Sequence, residues 1–209
     1  MIAPDIHFVG DDALAVKVSD RAHRHALAAA LRASGRWRDV VPGKGDVTVQ
    51  YDPLSLSPSA ARSLLVDQTL TTPQAEERIA RNITLRMKVD EKSAPDLARV
   101  AMENNLSPDA FLGRISASPL IVDMMGFTAG FAYVAGVDPG LLSPRLSAPR
   151  QKVPAGSVGM ITGQLGLYAL AGPAGWPIIG TIAETLFEAR RNEPFTLEAG
   201  MQIQLMIEP

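Results

Sequence analysis

The residues best suited to chemistry in this 209-residue chain gather in its C-terminal half. Arg150 and Lys152 stand beside a stretch, Val153 to Ala183, that carries no charge. An arginine there suits a bound carboxylate or phosphate, which it grips through two parallel N–H bonds. The alternative is a solvated pair at the start of a strand. Gln164 lies between Gly163 and Gly166 in the same apolar stretch. Its amide both donates and accepts, so it suits recognition of an amide or lactam; equally, it suits tying two buried strands together. Phe127, Phe131, Tyr133, Tyr168 and Trp176 are expected to line a pocket or to pack a core.

Other chemistry is excluded or weak. With no cysteine there is no disulfide, thiolate metal site or thiol nucleophile, and the composition fits a reducing, cytoplasmic setting. His7, His23 and His25 are the only histidines. The last two stand two apart on an expected helix and diverge, so no metal site is expected. Asp11-Asp12 reads as a turn, because adjacent carboxylates there point apart and no histidine is placed to serve them. No glycine pattern matches a nucleotide loop. A net charge of −2, no basic cluster and few aromatics argue against nucleic acid. The start Met1-Ile2-Ala3-Pro4 lacks a signal-peptide pattern. The charge-free stretch is broken by Pro154, Pro173, Pro177 and several glycines, so a membrane span is not expected.

The elements that must position these residues follow from hydrophobic spacing. Ile6–Val9 and Ala13–Val18 read as strands, and Asp20 as the cap of a helix stopping at Gly35. Arg38–Val41 and Asp46–Tyr51 flank the turn Pro42-Gly43-Lys44-Gly45. Ser57-Pro58 opens a second helix, and Ile83–Met87 is a further strand. That order is the split βαβ pattern of a ferredoxin-like domain, placed at residues 1–88. Residues 89–209 hold two short helices, opened at Ser93 and at Ser107-Pro108, then many short strands cut by Gly and Pro. A short helix is expected over Ala183–Arg190, and Leu197, Met201, Ile203 and Leu205 are expected to face inward.

Gly126-Phe127-Thr128-Ala129-Gly130-Phe131-Ala132-Tyr133 and Arg145-Leu146-Ser147-Ala148-Pro149-Arg150-Gln151-Lys152-Val153-Pro154-Ala155-Gly156-Ser157-Val158 carry a family likeness, followed in order by Gly163-Gln164-Leu165-Gly166-Leu167-Tyr168, Gly175-Trp176 and Ile179-Gly180. These segments resemble the family of the 5-oxoprolinase B-type subunit, KipI and allophanate hydrolase subunit 1, the carboxyltransferase domain subdomain C and D type. The resemblance implies an α+β chain with a small α/β domain followed by a cyclophilin-like β-barrel. It implies one component of an ATP-dependent 5-oxoprolinase-like hydrolase that is inactive alone and works with a homologous KipA-like partner on a small amide or lactam, the ATP site not being located in this chain. A KipI-like inhibitor of a sensor histidine kinase, or the carboxyltransferase half of a urea-carboxylase-type system, are the alternatives it leaves open. Substrate contact is assigned to Arg150, Gln164, Phe127, Phe131, Tyr168 and Trp176. The sequence departs from the family pattern at Ile115, Leu120, Ala129, Leu165 and Thr181, which stand where histidine, tyrosine, proline, threonine and arginine are usual.

Overall fold

A computed structural model describes residues 3–73 and 81–208; Met1 and Ile2, read above for targeting, lie outside them. The chain divides into two compact units, Met1–Arg78 and Ile79–Pro209.

The first unit is a four-stranded antiparallel sheet with two helices. Its elements are β1 (Ile6–Val9), β2 (Ala13–Lys17), α1 (Arg21–Ala33), β3 (Asp39–Pro42), β4 (Asp46–Gln50) and α2 (Pro58–Thr71). Asp20 caps α1 by accepting the His23 N–H at 2.7 Å, and Gly35 ends it at φ 62°. Ser57 caps α2 in the same way, with Pro58 in its first turn. Strands β2 and β3, joined through α1, both pair with β4 between them, so the split βαβ unit is present. Alternation along the strands sends Leu14, Val16, Val47 and Val49 to one face. There they pack on Leu27 and Leu31 of α1 and on Ala61 and Leu65 of α2.

The expected closing strand of this sheet goes elsewhere. β5 (Asn82–Lys88) belongs to the second unit, and the edge beside β2 is taken by β1, in the order β1-β2-β4-β3. A tight turn at Gly10, φ 65°, folds β1 straight onto β2, so that edge is filled locally. The division thus falls before β5 rather than at residue 88.

The second unit continues with α3 (Leu97–Glu103), α4 (Pro108–Ser116), β6 (Leu120–Met125), β7 (Ala132–Ala135), β8 (Arg150–Val153), β9 (Ser157–Ile161), β10 (Gln164–Leu167), β11 (Gly172–Ala174), β12 (Ile178–Ile182) and β13 (Gln202–Glu208). Seven of its strands close a barrel in the order β10-β7-β6-β13-β5-β12-β9. Alternate residues fill the interior: Leu85, Met87, Val122, Val134, Val158, Met160, Leu165, Leu167, Ile203 and Leu205 form one aliphatic core. Strands β8 and β11 pair only with each other, as a separate ribbon. Pro173 is tolerated in β11 because an edge strand can spare its N–H.

Two local expectations differ. Ser93 does not cap α3; its hydroxyl accepts the Asp90 N–H at 2.8 Å in the preceding turn, and Asp96 takes the cap position. Ala183–Arg190 forms no helix. Its residues pair with the segment that follows instead: Phe187 bridges to Phe195, and Leu186 C=O accepts the Thr196 N–H at 3.0 Å. Leu197, Met201, Ile203 and Leu205 are all buried.

Candidate functional site

The barrel interior is packed, so any site must lie on its outer face. Outward positions on neighbouring strands supply one. Tyr133 of β7 and Gly159 of β9 both sit opposite Gly166 of β10. Gly166 leaves a gap that aromatic rings fill. A Cβ built there would lie 2.7 Å from Phe131 Cζ and 2.8 Å from Trp176 Cζ3. Across Gly159, Tyr168 and Trp176 approach almost as closely, each 3.0 Å from where a Cβ would stand. The glycines therefore act by absence of a side chain, letting rings lie against the strand backbone.

Phe131 is the hub of the cluster that results. Its ring meets Tyr133 at 4.7 Å, Tyr168 at 4.9 Å, Phe127 at 5.3 Å and Trp176 at 6.4 Å, all edge to face. Val153 and Ala174 of the ribbon pack on the same cluster. Between these groups lies a cavity of about 240 Å³, lined by Phe127, Phe131, Tyr133, Arg145, Tyr168, Pro173, Gly175 and Trp176. It is smaller than the roughly 300–1,000 Å³ typical of sites for drug-sized molecules, so it suits a small ligand.

Arg145 is the one charged side chain among those lining residues. Its guanidinium carbon stands 5.6 Å from the centre of the Trp176 ring, within cation–π reach. The following residue fixes the backbone, Leu146 N–H donating to Gly175 C=O at 2.9 Å. Among the described residues no carboxylate pairs with Arg145. Burial raises the Tyr168 phenol above its ordinary value, the nearby Tyr133 adds to this, and the Arg145 charge opposes it. Tyr168 thus keeps its proton at neutral pH and offers an O–H donor. The lining combines aromatic faces, two phenols and a cation, without a carboxylate, imidazole or thiol to take a proton.

Phe127 stands at the mouth and is 61% exposed. Thr128 N–H donates to Gly126 C=O at 2.9 Å around it, and its φ is 70°. That is a γ-turn of the strained, positive-φ kind, here holding a ring at a cavity entrance.

The cavity therefore brings together the five aromatic residues singled out from sequence, Phe127, Phe131, Tyr133, Tyr168 and Trp176. It does not include Arg150 or Gln164. Arg150 lies on the ribbon and makes a two-pronged pair with Asp96, Nη1 to Oδ2 at 2.7 Å and Nη2 to Oδ1 at 2.9 Å. Asp96 is buried and also accepts the Ile178 N–H at 2.7 Å. Burial pushes the Asp96 carboxyl upward, but the Arg150 bonds, the Ile178 N–H and the Arg150 charge together reverse this and leave it lowered. The carboxylate that Arg150 calls for is thus supplied from within the chain. Gln164 is buried on the outer face of β10, two positions from Gly166, but does not line the cavity. Sequence reasoning missed Arg145. Its signal was present: it is the only charge between Asp138 and Arg150, and it opens the same Arg-x-x-x-Pro-Arg run.

A second depression of about 380 Å³ lies along the outer face of β5 and β13, with Asn82, Thr84, Ser116, Ser118, Gln202 and Gln204 among its walls. It is larger but contains neither an ionisable nor an aromatic side chain, so the smaller cavity is the better candidate. Among the described residues no cluster of His, Asp or Glu is arranged to hold a metal ion, and no helix is long and apolar enough to cross a membrane.

Known proteins resemble this chain in sequence and in fold. The B-type subunit of 5-oxoprolinase from Escherichia coli O157:H7 is 34% identical over 169 residues, covering 80% of this chain and 77% of that protein. That of Haemophilus influenzae is 30% identical over 184 residues, covering 88% and 85%. The crystal structure of TTHA0988 superposes with a TM-score of 0.80 at 31% identity, over 98% of this chain but only 40% of that one. The urea carboxylase of Kluyveromyces lactis shares the fold, with a TM-score of 0.78 over 99% of this chain and 22% of that one, at 14% identity. The family described as carboxyltransferase domain, subdomain C and D, matches residues 4–197. With a match across nearly the whole chain and the barrel it entails in place, this protein belongs to the carboxyltransferase domain, subdomain C and D, family.

Proposed function

We propose that this chain is the B-type component of a 5-oxoprolinase-like hydrolase, which opens a lactam ring at the cost of ATP together with a homologous KipA-like partner. The observation that carries this reading is a cavity equipped to bind but not to move protons. Its walls supply aromatic faces, phenol O–H groups and one cation, and no general base. A component of that kind fits a shared active site in which the remaining groups come from a partner. The likeness to the B-type subunits of 5-oxoprolinase supports the choice of reaction.

The chemistry explains why ATP is needed. Nitrogen donation into the lactam carbonyl makes it a poor electrophile. Transfer of the ATP γ-phosphoryl group to the carbonyl oxygen gives a good leaving group. Water then adds at that carbon and the C–N bond breaks, the nitrogen leaving as the free amine of an acyl phosphate; a second water displaces phosphate from it, giving glutamate, ADP and phosphate. Such a step needs cations or N–H donors around the developing negative charge.

The test is a reconstitution. The purified chain alone is expected to release no glutamate from 5-oxoproline and ATP. Mixed with its KipA-like partner it is expected to do so in step with ADP formation. No release from the complete assembly would reject the reading.

A further inference from the structure

We propose that Arg145, braced on the face of Trp176, is the anchor for the carboxylate of a small, flat cyclic acid whose ring lies against the aromatic walls of the cavity. The identity of that acid as 5-oxoproline rests on the function proposed above; the anchor itself is measurable without it.

Three observations carry the inference. Arg145 is the only charged group lining the cavity, and among the described residues it has no acidic partner. Its contrast is Arg150, the other arginine of the same run, whose fork is already filled by Asp96. Arg145 is exposed at the open rim of the aromatic cavity and is poised for an incoming anion, because its planar fork matches a carboxylate in two bonds while its face stacks on a ring. The Trp176 contact at 5.6 Å restrains the side chain before ligand arrives, so less rotamer freedom is lost on binding.

The walls decide what carries the carboxylate. Phe131, Tyr133 and Trp176 present ring surfaces within about one ring's width of each other, with centroids 4.7 to 6.4 Å apart. A flat ring stacks there, whereas a flexible chain gains less and loses more entropy. At roughly 30 Å³ per water, the 240 Å³ cavity holds about eight waters' worth of matter. That matches a five-membered lactam acid of about nine heavy atoms and is too small for a nucleotide.

The test reads the two indole N–H signals of the whole chain by NMR, with Trp176 assigned against Trp37 by a Trp37→Phe chain. Titration with 5-oxoproline is expected to shift the Trp176 signal saturably. Uncharged 2-pyrrolidinone is expected to bind at least tenfold more weakly. In Arg145→Gln, affinity for the acid is expected to fall roughly 10- to 100-fold, the range for losing a charge-assisted contact, with 2-pyrrolidinone unaffected. Arg145→Lys, which keeps charge but not the fork, is expected to fall between. Equal binding of acid and neutral lactam, an unchanged Arg145→Gln, or inorganic phosphate binding as tightly as the acid would each overturn the proposal. Assays of the assembly separate the two claims. Arg145-dependent binding with no glutamate release rejects the proposed reaction and leaves the anchor standing. An active assembly whose KM for 5-oxoproline is unchanged in Arg145→Gln removes the anchor and leaves the reaction.

Discussion

Arg150 and Asp96 illustrate how one side chain's partner decides its role. Removing the Arg150 fork leaves a buried carboxylate with only the Ile178 N–H and a distant Arg99, whose Nη2 is 4.0 Å away. Breaking a buried ion pair costs about 3–5 kcal/mol. With the Arg150 side chain 35% exposed, we expect the lower side of that range or somewhat less, about 2–3 kcal/mol, for Arg150→Ala in denaturant unfolding. The same pair sets a pH dependence. The folded Asp96 carboxyl titrates below its unfolded value of about 3.9. The unfolded chain therefore binds more protons in between, and the contribution is complete above about pH 4 and lost as pH falls through the lowered folded value. Asp96→Asn is expected to be less stable than the natural protein at pH 7, with the gap narrowing below pH 4; a constant gap would count against the pair. This partnership was not legible in the sequence. Arginine's need for an anion was evident, but Asp96 lies on another element and no spacing links the two. The aromatic residues were legible only as pocket lining or core, because ring type alone does not decide between the two.

Among the elements, the outer strands with their glycines hold the site. Gly166→Ala would drive a methyl group into Phe131 and Trp176. We expect it to cost about 1–3 kcal/mol, as overpacking does, and to weaken ligand shifts at Trp176. A melting curve with a ligand titration checks both. Strand β5 offers a second prediction. Leu85 is fully buried in the barrel core. Leu85→Ala is expected to cost about 2–5 kcal/mol and to lower hydrogen-exchange protection in β12 and β13. Loss of protection concentrated in β2 and β4 would contradict its placement. Here the sequence was readable as strand but not as to sheet. Ile83, Leu85 and Met87 alternate correctly for either one, and alternation names a face, not a neighbour. The filled edge beside β2 is what excludes the expected pairing. The first five strands and the caps Asp20, Ser57 and Ser107 were plain from turn residues and N-cap signals, the barrel strands after them only as short runs between Gly and Pro, while Ala183–Arg190 followed tertiary contacts against its local helical spacing.

At the scale of the molecule, two units with separate hydrophobic cores make up the chain. The general architecture was visible as a change of texture from alternating strands and helices to short runs cut by Gly and Pro. One connection in the barrel has a bearing on how the protein is made. Strand β13 lies parallel to β5 through seven paired positions, Gln202↔Asn82 to Glu208↔Lys88. Almost everything else in the barrel is strung between those two strands. On a ribosome, the first unit can gather its core while the remainder is still being translated. The barrel must wait, its β5 flank unclosed, until β13, more than a hundred residues further along, has been read. Such late, long-range closure makes for slow maturation and leaves the half-built cylinder a natural client for chaperones.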